Sequence, residues 1–429
     1  MGKIKLKDEK GKLYFGWPII IMCLFLMAFG YSSAVSIAGV FVLPVTEELG
    51  IQIGDFVVWT SILSLTSIIY LFVVSKFYNA RTIKPIMLVC AVLGAVGFFG
   101  FSRATELWHF YLFAVPMGIC FGGLTATPAS VLVNNWFGPK CRGFAMALVF
   151  SGTSVLCMGF IPLVNYIISA LGWRAAYLFV ALGLLIICIP MVLLFAVWSP
   201  AEKGLKQMGK AEKEQASDTA RLPGIPFKEG LKKPSTWLLF LSGALVVLGS
   251  SAMLTHTQAF LVMTGYSPVF SANMMSAMIG ALVVGGMLVG AFCDRYKLQV
   301  AAAGTCVIFA VGYIVQIFIP QAGWLIVVLI IGYGLGCTAV NIVPPIIANY
   351  MFGDREITGY IGYINIFISI GGAFGSTLVG KLFDATGSYT VPFILCTVLL
   401  LLAAVIRGCV TSKRYQFQVP APQAEEKTV

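Results

Sequence analysis

His256 is the one ionisable residue set deep inside a long apolar stretch, and Thr255, Thr257 and Gln258 give it polar neighbours. An imidazole titrates near neutral pH, so it can carry a proton or, once charged, face a carboxylate. The competing role is packing, with both ring nitrogens tied to neighbouring groups. Other polar side chains also interrupt apolar stretches: Tyr31, Ser32, Ser36, Thr125, Thr127, Tyr333, Asn341, Tyr363 and Asn365. Of these, Tyr31, Thr125, Tyr333, Asn341 and Tyr363 join His256 as candidate substrate-binding residues, because hydroxyls and amides donate hydrogen bonds without bearing charge. Each can also serve hydrogen bonding between helices, worth about 1 kcal/mol or less. No Asp or Glu lies mid-stretch, and the 11 cysteines sit in or beside apolar runs without disulfide or zinc spacing. With no carboxylate pair, metal cluster or Ser–His arrangement, neither an enzyme nor a metal or other cofactor is expected.

Composition dictates the elements that position these groups. Of 429 residues, 59% are hydrophobic and 10% charged, against about 25% charged in soluble domains. Such a chain cannot cover its own surface in water, so an integral membrane protein is expected. Twelve runs approach the roughly 20 apolar residues that a spanning helix needs. They cover 17–43, 55–75, 84–101, 108–134, 142–168 and 174–198, then 236–262, 272–292, 299–319, 322–349, 357–381 and 389–411. The first is too long for a cleaved signal sequence. The predicted organisation is a segment 1–16, a six-helix bundle 17–198, a linker 199–234, a second bundle 235–412 and a disordered tail 413–429.

The net charge of +11 is explained by where it sits. If both termini are cytoplasmic, 25 of the 28 Lys and Arg fall on that side, leaving only Arg103, Arg174 and Lys381 outside. The basic excess is thus a topology signal at a cytoplasmic membrane and a contact for anionic lipid, not a nucleic-acid footprint. Nothing indicates an oligomer, so a monomer is expected.

The two halves repeat. Gly138 and Gly353 are 215 positions apart, as are Gly172 and Gly387, and as are Ser75 and Gly290. Two like six-helix halves are the sequence sign of alternating access, with a site at their interface near mid-membrane. Gly-x-x-x-Gly pairs at Gly118/Gly122, Gly286/Gly290, Gly332/Gly336 and Gly371/Gly375 would let helices approach closely.

Gly290-x-x-x-Asp294-Arg295-x-Lys297 resembles the loop signature of the major facilitator superfamily, at that family's position after the second span of a half. The resemblance implies twelve helices in two pseudo-symmetric bundles. It also implies a cytoplasmic gate in which Asp294 meets Arg355 and holds the inner side shut. Gly290, Arg295, Asn79 and Arg142 are the other gating candidates; Ser75 and Asn79 replace the Gly and Asp in the first half.

A narrower likeness lies in Trp136-Phe-Gly-Pro-Lys-Cys-Arg142-Gly-Phe-Ala-Met-Ala with Ser151-Gly152, in Gly16-Trp17 through Gly39-Val40-Phe41, and in His256-x-x-Ala-Phe-Leu. These are similar to monocarboxylate and oxalate/formate porters. Those porters carry a basic residue in the eighth or eleventh span. Met278 to Val289 and Ile361 to Val379 carry no charge here, which argues against a dicarboxylate. The expected function is secondary transport of a small, monocarboxylate-like organic anion, by proton coupling or exchange. The alternative is an exporter of a neutral or amphipathic compound.

Overall fold

The structure, a computed structural model, describes residues 14–74, 77–208, 224–295, 298–353 and 356–415. The described residues are helical almost throughout, and eleven helices are long and apolar enough to cross a membrane. Gly172 divides the longest of them, with φ 84° and ψ 164° inside Pro139–Gly183. A side chain strains at such a φ, so glycine makes the reversal. Twelve crossings result.

We number the crossings α1 to α12. In the first half, α1 runs Gly16–Tyr31, Ser32–Ser36 and Ala38–Leu49; α2 is Val58–Val74; α3 is Ile83–Ser102. The fourth, α4, is Leu107–Leu124 continued by Ala126–Trp136, and α5 and α6 lie either side of Gly172, ending at Ile189–Phe195. In the second half, α7 is Pro234–Met263, α8 is Pro268–Arg295 and α9 is Leu298–Phe318. Then α10 is Leu325–Gly336, Thr338–Asn341 and Val343–Phe352; α11 is Ile357–Thr386; α12 is Thr390–Val410.

The repeat is structural as well as sequential. Gly172 and Gly387 both have positive φ, and so do Gly50 and Gly265, which end the first span of each half. These four turns mark one end of the molecule, called here the far face. The opposite end, the linker face, holds both described chain ends and the two described ends of the segment joining the halves. Small residues set the close helix contacts. A Cβ on Gly118 or Gly122 of α4 would strike α2 at Leu63 or Tyr70, and one on Gly375 of α11 would strike the Leu248 carbonyl of α7. Large apolar side chains point outward, Met287 at 77% and Ile186 at 68% exposure. Water would penalise that surface and hydrocarbon does not.

The two described ends of the linker are pinned to equivalent places. Gly138 N–H donates to the Met208 carbonyl at 2.7 Å at the end of α4, and Ile225 N–H donates to the Phe352 carbonyl at 2.8 Å at the end of α10. Tyr14 reinforces the first pin: its hydroxyl lies 3.0 Å from the Trp136 and Lys206 carbonyls and accepts from Met208 N–H at 3.2 Å. Tyr14→Phe should therefore lower unfolding stability by about 1–2 kcal/mol, read as a lower melting temperature in detergent. Burial pushes the Tyr14 phenol up to about 12, partly offset by Met208 N–H. The neutral phenol is the favoured form, so the wild-type advantage is complete below about pH 10. It then fades as pH rises to about 12. Equal melting of the two proteins at pH 7 would refute this.

Candidate functional site

Three of the helices that meet at the centre are broken at mid-depth. The first widens to a π-helical turn over Ser32–Ser36. The fourth breaks at Thr125, with φ −97° and ψ −133°. The tenth is interrupted between Gly336 and Val343. The seventh runs through unbroken. In a membrane such irregular backbone is tolerated only where protein or a water-filled cavity surrounds it, and transporters place their binding sites there.

The breaks bring several side chains together. Tyr31 of α1 lies in the vicinity of Cys157 of α5 and Cys337 of α10, and Tyr333 lies beside Cys337 and Ser250 of α7, with Tyr31 nearby. Ser250 Oγ is 3.2 Å from Cys337 Sγ. Tyr31 remains 36% exposed, whereas Tyr333, Ser250 and Cys337 are buried. Tyr31 also packs 6.1 Å from the Phe121 ring, and Thr125 donates to the Phe121 carbonyl at 2.6 Å. Tyr31, Tyr333 and Thr125 are thus drawn to one neighbourhood, while Ser250, Cys337 and Cys157 join it without having been singled out. Asn341 ends a short helix at the α10 break; its side chain lies outside the described residues.

His256 and Tyr363 stand elsewhere. The His256 ring is fully buried. Its Nε2 donates to the Ser376 carbonyl of α11 at 2.8 Å, and Nδ1 lies 3.3 Å from the Tyr389 hydroxyl at the start of α12. The carbonyl can only accept, so the proton sits on Nε2 and Tyr389 donates to Nδ1. Tyr363 packs near the linker face, 5.0 Å from Phe227 and 6.0 Å from Phe240.

The gating candidates fall partly beyond view. Arg355 lies outside the described residues, as do the side chains of Asp294, Arg295 and Arg142. Gly290 has open space where a Cβ would sit. Asn79 caps the turn before α3, its Oδ1 accepting from the Arg81 and Thr82 amides at 2.9 and 3.1 Å.

The far face shows a seal instead. A set of side-chain hydrogen bonds joins the two bundles on the far half. Ser61 of α2 donates to the Ala373 carbonyl and sits 2.7 Å from Thr377 Oγ1, while Thr60 and Ser376 hydroxyls are 2.6 Å apart. Gly54 N–H donates to Asp384 at 2.8 Å, Lys381 pairs with Asp55, and Gln258 donates to Asn165 of α5 at 3.3 Å. Gly39 of α1 lies so close to α7 that a Cβ would stand 2.7 Å from the Leu254 carbonyl. The structure is closed at this face. Reading the polar residues one span at a time missed the seal; its trace in the sequence is Ser and Thr on adjacent positions of two otherwise apolar spans.

The buried Ser61 contacts are the strongest part of the seal. Ser61→Val should remove two hydrogen bonds and weaken closure by about 1–3 kcal/mol. Spin-label distances between the far ends of α2 and α11 should then lengthen in a substantial fraction of molecules. A distance distribution identical to wild type would overturn the assignment.

Comparison with known proteins fits this geometry. Residues 20–350 match the profile of the Major Facilitator Superfamily. Monocarboxylate transporter 13 of Rattus norvegicus is 26% identical over 324 residues, covering 74% of this chain and 71% of its own. Monocarboxylate transporter 2 of Rattus norvegicus is 22% identical over 415 residues, covering 91% and 82%. The solved nucleoside transporter NupG superposes with a TM-score of 0.72 at 13% identity, covering 93% of this chain and all of that one. A bacterial homolog of the human lysosomal transporter Spinster, inward-facing and unoccupied, gives 0.70 at 14% identity, covering 95% and 99%. Twelve apolar crossings, the repeated turns and a profile match over most of the length agree: this chain belongs to the Major Facilitator Superfamily, and it is a membrane transporter rather than an enzyme.

Proposed function

We propose that the protein moves a small, monocarboxylate-like organic anion across the cytoplasmic membrane by alternating access, through proton coupling or anion exchange. The observation that carries this reading is the polar cluster at the three helix breaks, lying beneath a closed far face. The linker face, with both termini, is then cytoplasmic. The names of the relatives, 22–26% identical, support a monocarboxylate as cargo. Tyr31, Tyr333, Asn341 and Thr125 would donate to the carboxylate, and peptide N–H groups freed at the breaks would add to them. Tyr363 would line the cytoplasmic approach, and Asp294 with Arg355 would close it in the opposite state.

His256 would act through the seal. Its Nε2–H holds the carbonyl of Ser376, the residue whose hydroxyl meets Thr60 across the bundles. Protonation on opening would charge the ring and break its bond with Tyr389 as acceptor. That would link the proton to the far-face equilibrium.

A second reading, export of a neutral or amphipathic compound, is favoured by one observation: no described member of the central cluster is a cation.

Proteoliposome uptake of short monocarboxylates, with and without a pH gradient, separates the two. We expect uptake stimulated by an inwardly directed proton gradient, acid outside, or by a trans-loaded anion. Tyr333→Phe should weaken apparent affinity by about 0.5–1.5 kcal/mol, roughly two- to twelvefold. His256→Gln should transport yet lose the pH response of the wild type, because the amide keeps hydrogen bonding but cannot take up a proton. Superimposed pH profiles for wild type and His256→Gln would leave His256 a packing residue, and absent monocarboxylate uptake would favour the neutral substrate.

A further inference from the structure

Arg407 sits one turn from the linker-face end of α12 and is fully buried, among the largest side chains with no exposure. An arginine there has the length to reach the interface. Instead it turns inward among the helices of its own bundle, for α12 packs on α9, α7 and α11. Its Nε stands 3.4 Å from Ser242 Oγ of α7, and Nη1 and Nη2 have no hydrogen-bond partner. Neighbouring polar groups are committed to the backbone: Ser242 donates to the Leu239 carbonyl at 2.7 Å and Thr305 to Ala302 at 3.2 Å. Cys306 lies beside the guanidinium, and its thiol faces the Ala302 carbonyl at 3.6 Å.

A guanidinium stays charged in proteins. An isolated cation buried at this depth is strongly disfavoured unless a negative partner accompanies it. The ion pairs among the described residues join Glu48 to Arg174 and Asp55 to Lys381, both at the far face. We propose that Arg407 is the core of a resident anion site between α7, α9 and α12, occupied by one small inorganic monovalent anion of chloride size. One positive charge calls for one negative charge. A fork of free Nη donors suits a compact acceptor, and full enclosure favours a free ion over a lipid headgroup anchored in the interface. The site lies inside one bundle, away from the far-face seam, so its anion braces that bundle and is not the cargo.

The test is melting of the full-length detergent-purified protein in sodium chloride against sodium gluconate at equal ionic strength. Chloride and bromide should raise the wild-type melting temperature in proportion to the logarithm of their concentration once above the dissociation constant, by about 1.5 °C at tenfold excess over it. Arg407→Gln should abolish that rise. Arg407→Lys, which keeps the charge but loses the fork, should weaken the chloride dissociation constant at least about fivefold, and it decides the matter if Arg407→Gln does not fold. Identical wild-type melting in both salts, an undiminished shift in Arg407→Gln, or an unchanged chloride constant in Arg407→Lys would overturn the proposal. So would a comparable, Arg407-dependent stabilisation by phosphatidylglycerol nanodiscs in chloride-free buffer, because that would make a lipid phosphate the occupant.

Discussion

A peptide group that leaves its helix inside a bilayer finds no water to replace the lost hydrogen bond, and each unsatisfied group costs several kcal/mol. Helix breaks are therefore confined to places where protein surrounds them. In this chain they occur in α1, α4 and α10 at matching depth, and the residues around them are shielded: Ser36, Thr125, Cys337 and Thr338 are all buried. The freed backbone and the hydroxyls of Tyr31, Tyr333 and Ser250 then share one polar neighbourhood. The rest of the fold holds that neighbourhood together, with long outer helices, small residues at their crossings and an apolar exterior.

The same scarcity of partners shapes the closed face. Closure rests mainly on neutral hydroxyl and carbonyl contacts between α2 and α11, with one exposed ion pair, Asp55 with Lys381, at the rim. Neutral contacts are modest in net strength, so a seal built from them can open without exposing unpaired charge to hydrocarbon. His256 stands directly behind this seam, bonded to the backbone of Ser376 rather than aimed into the central cluster.

Charge inside the molecule is handled by enclosure. The sequence shows a single Arg near the end of the last span and no acid mid-membrane. Helix position alone allowed Arg407 to lie at the interface. Packing of α12 on α7 and α9 turned it inward, which is why its partner becomes a physical question.

Apolar content and run length determined that this chain spans a membrane with helices, because hydrocarbon admits little else. The 215-residue offset likewise revealed two equivalent halves, since positive-φ turns such as Gly172 and Gly387 demand glycine wherever they recur. Tyr31, Thr125 and Tyr333 stood out because a polar group in an apolar run is expensive. Which groups actually meet was decided only by tertiary structure. Thr60 and Ser376, or Asn165 and Gln258, belong to different bundles and lie far apart in the chain. Their pairing depends on how the two bundles lean together, which no local spacing encodes. For the same reason His256 could be read as a lone ionisable residue from sequence, while the carbonyl and hydroxyl that occupy its nitrogens came from α11 and α12.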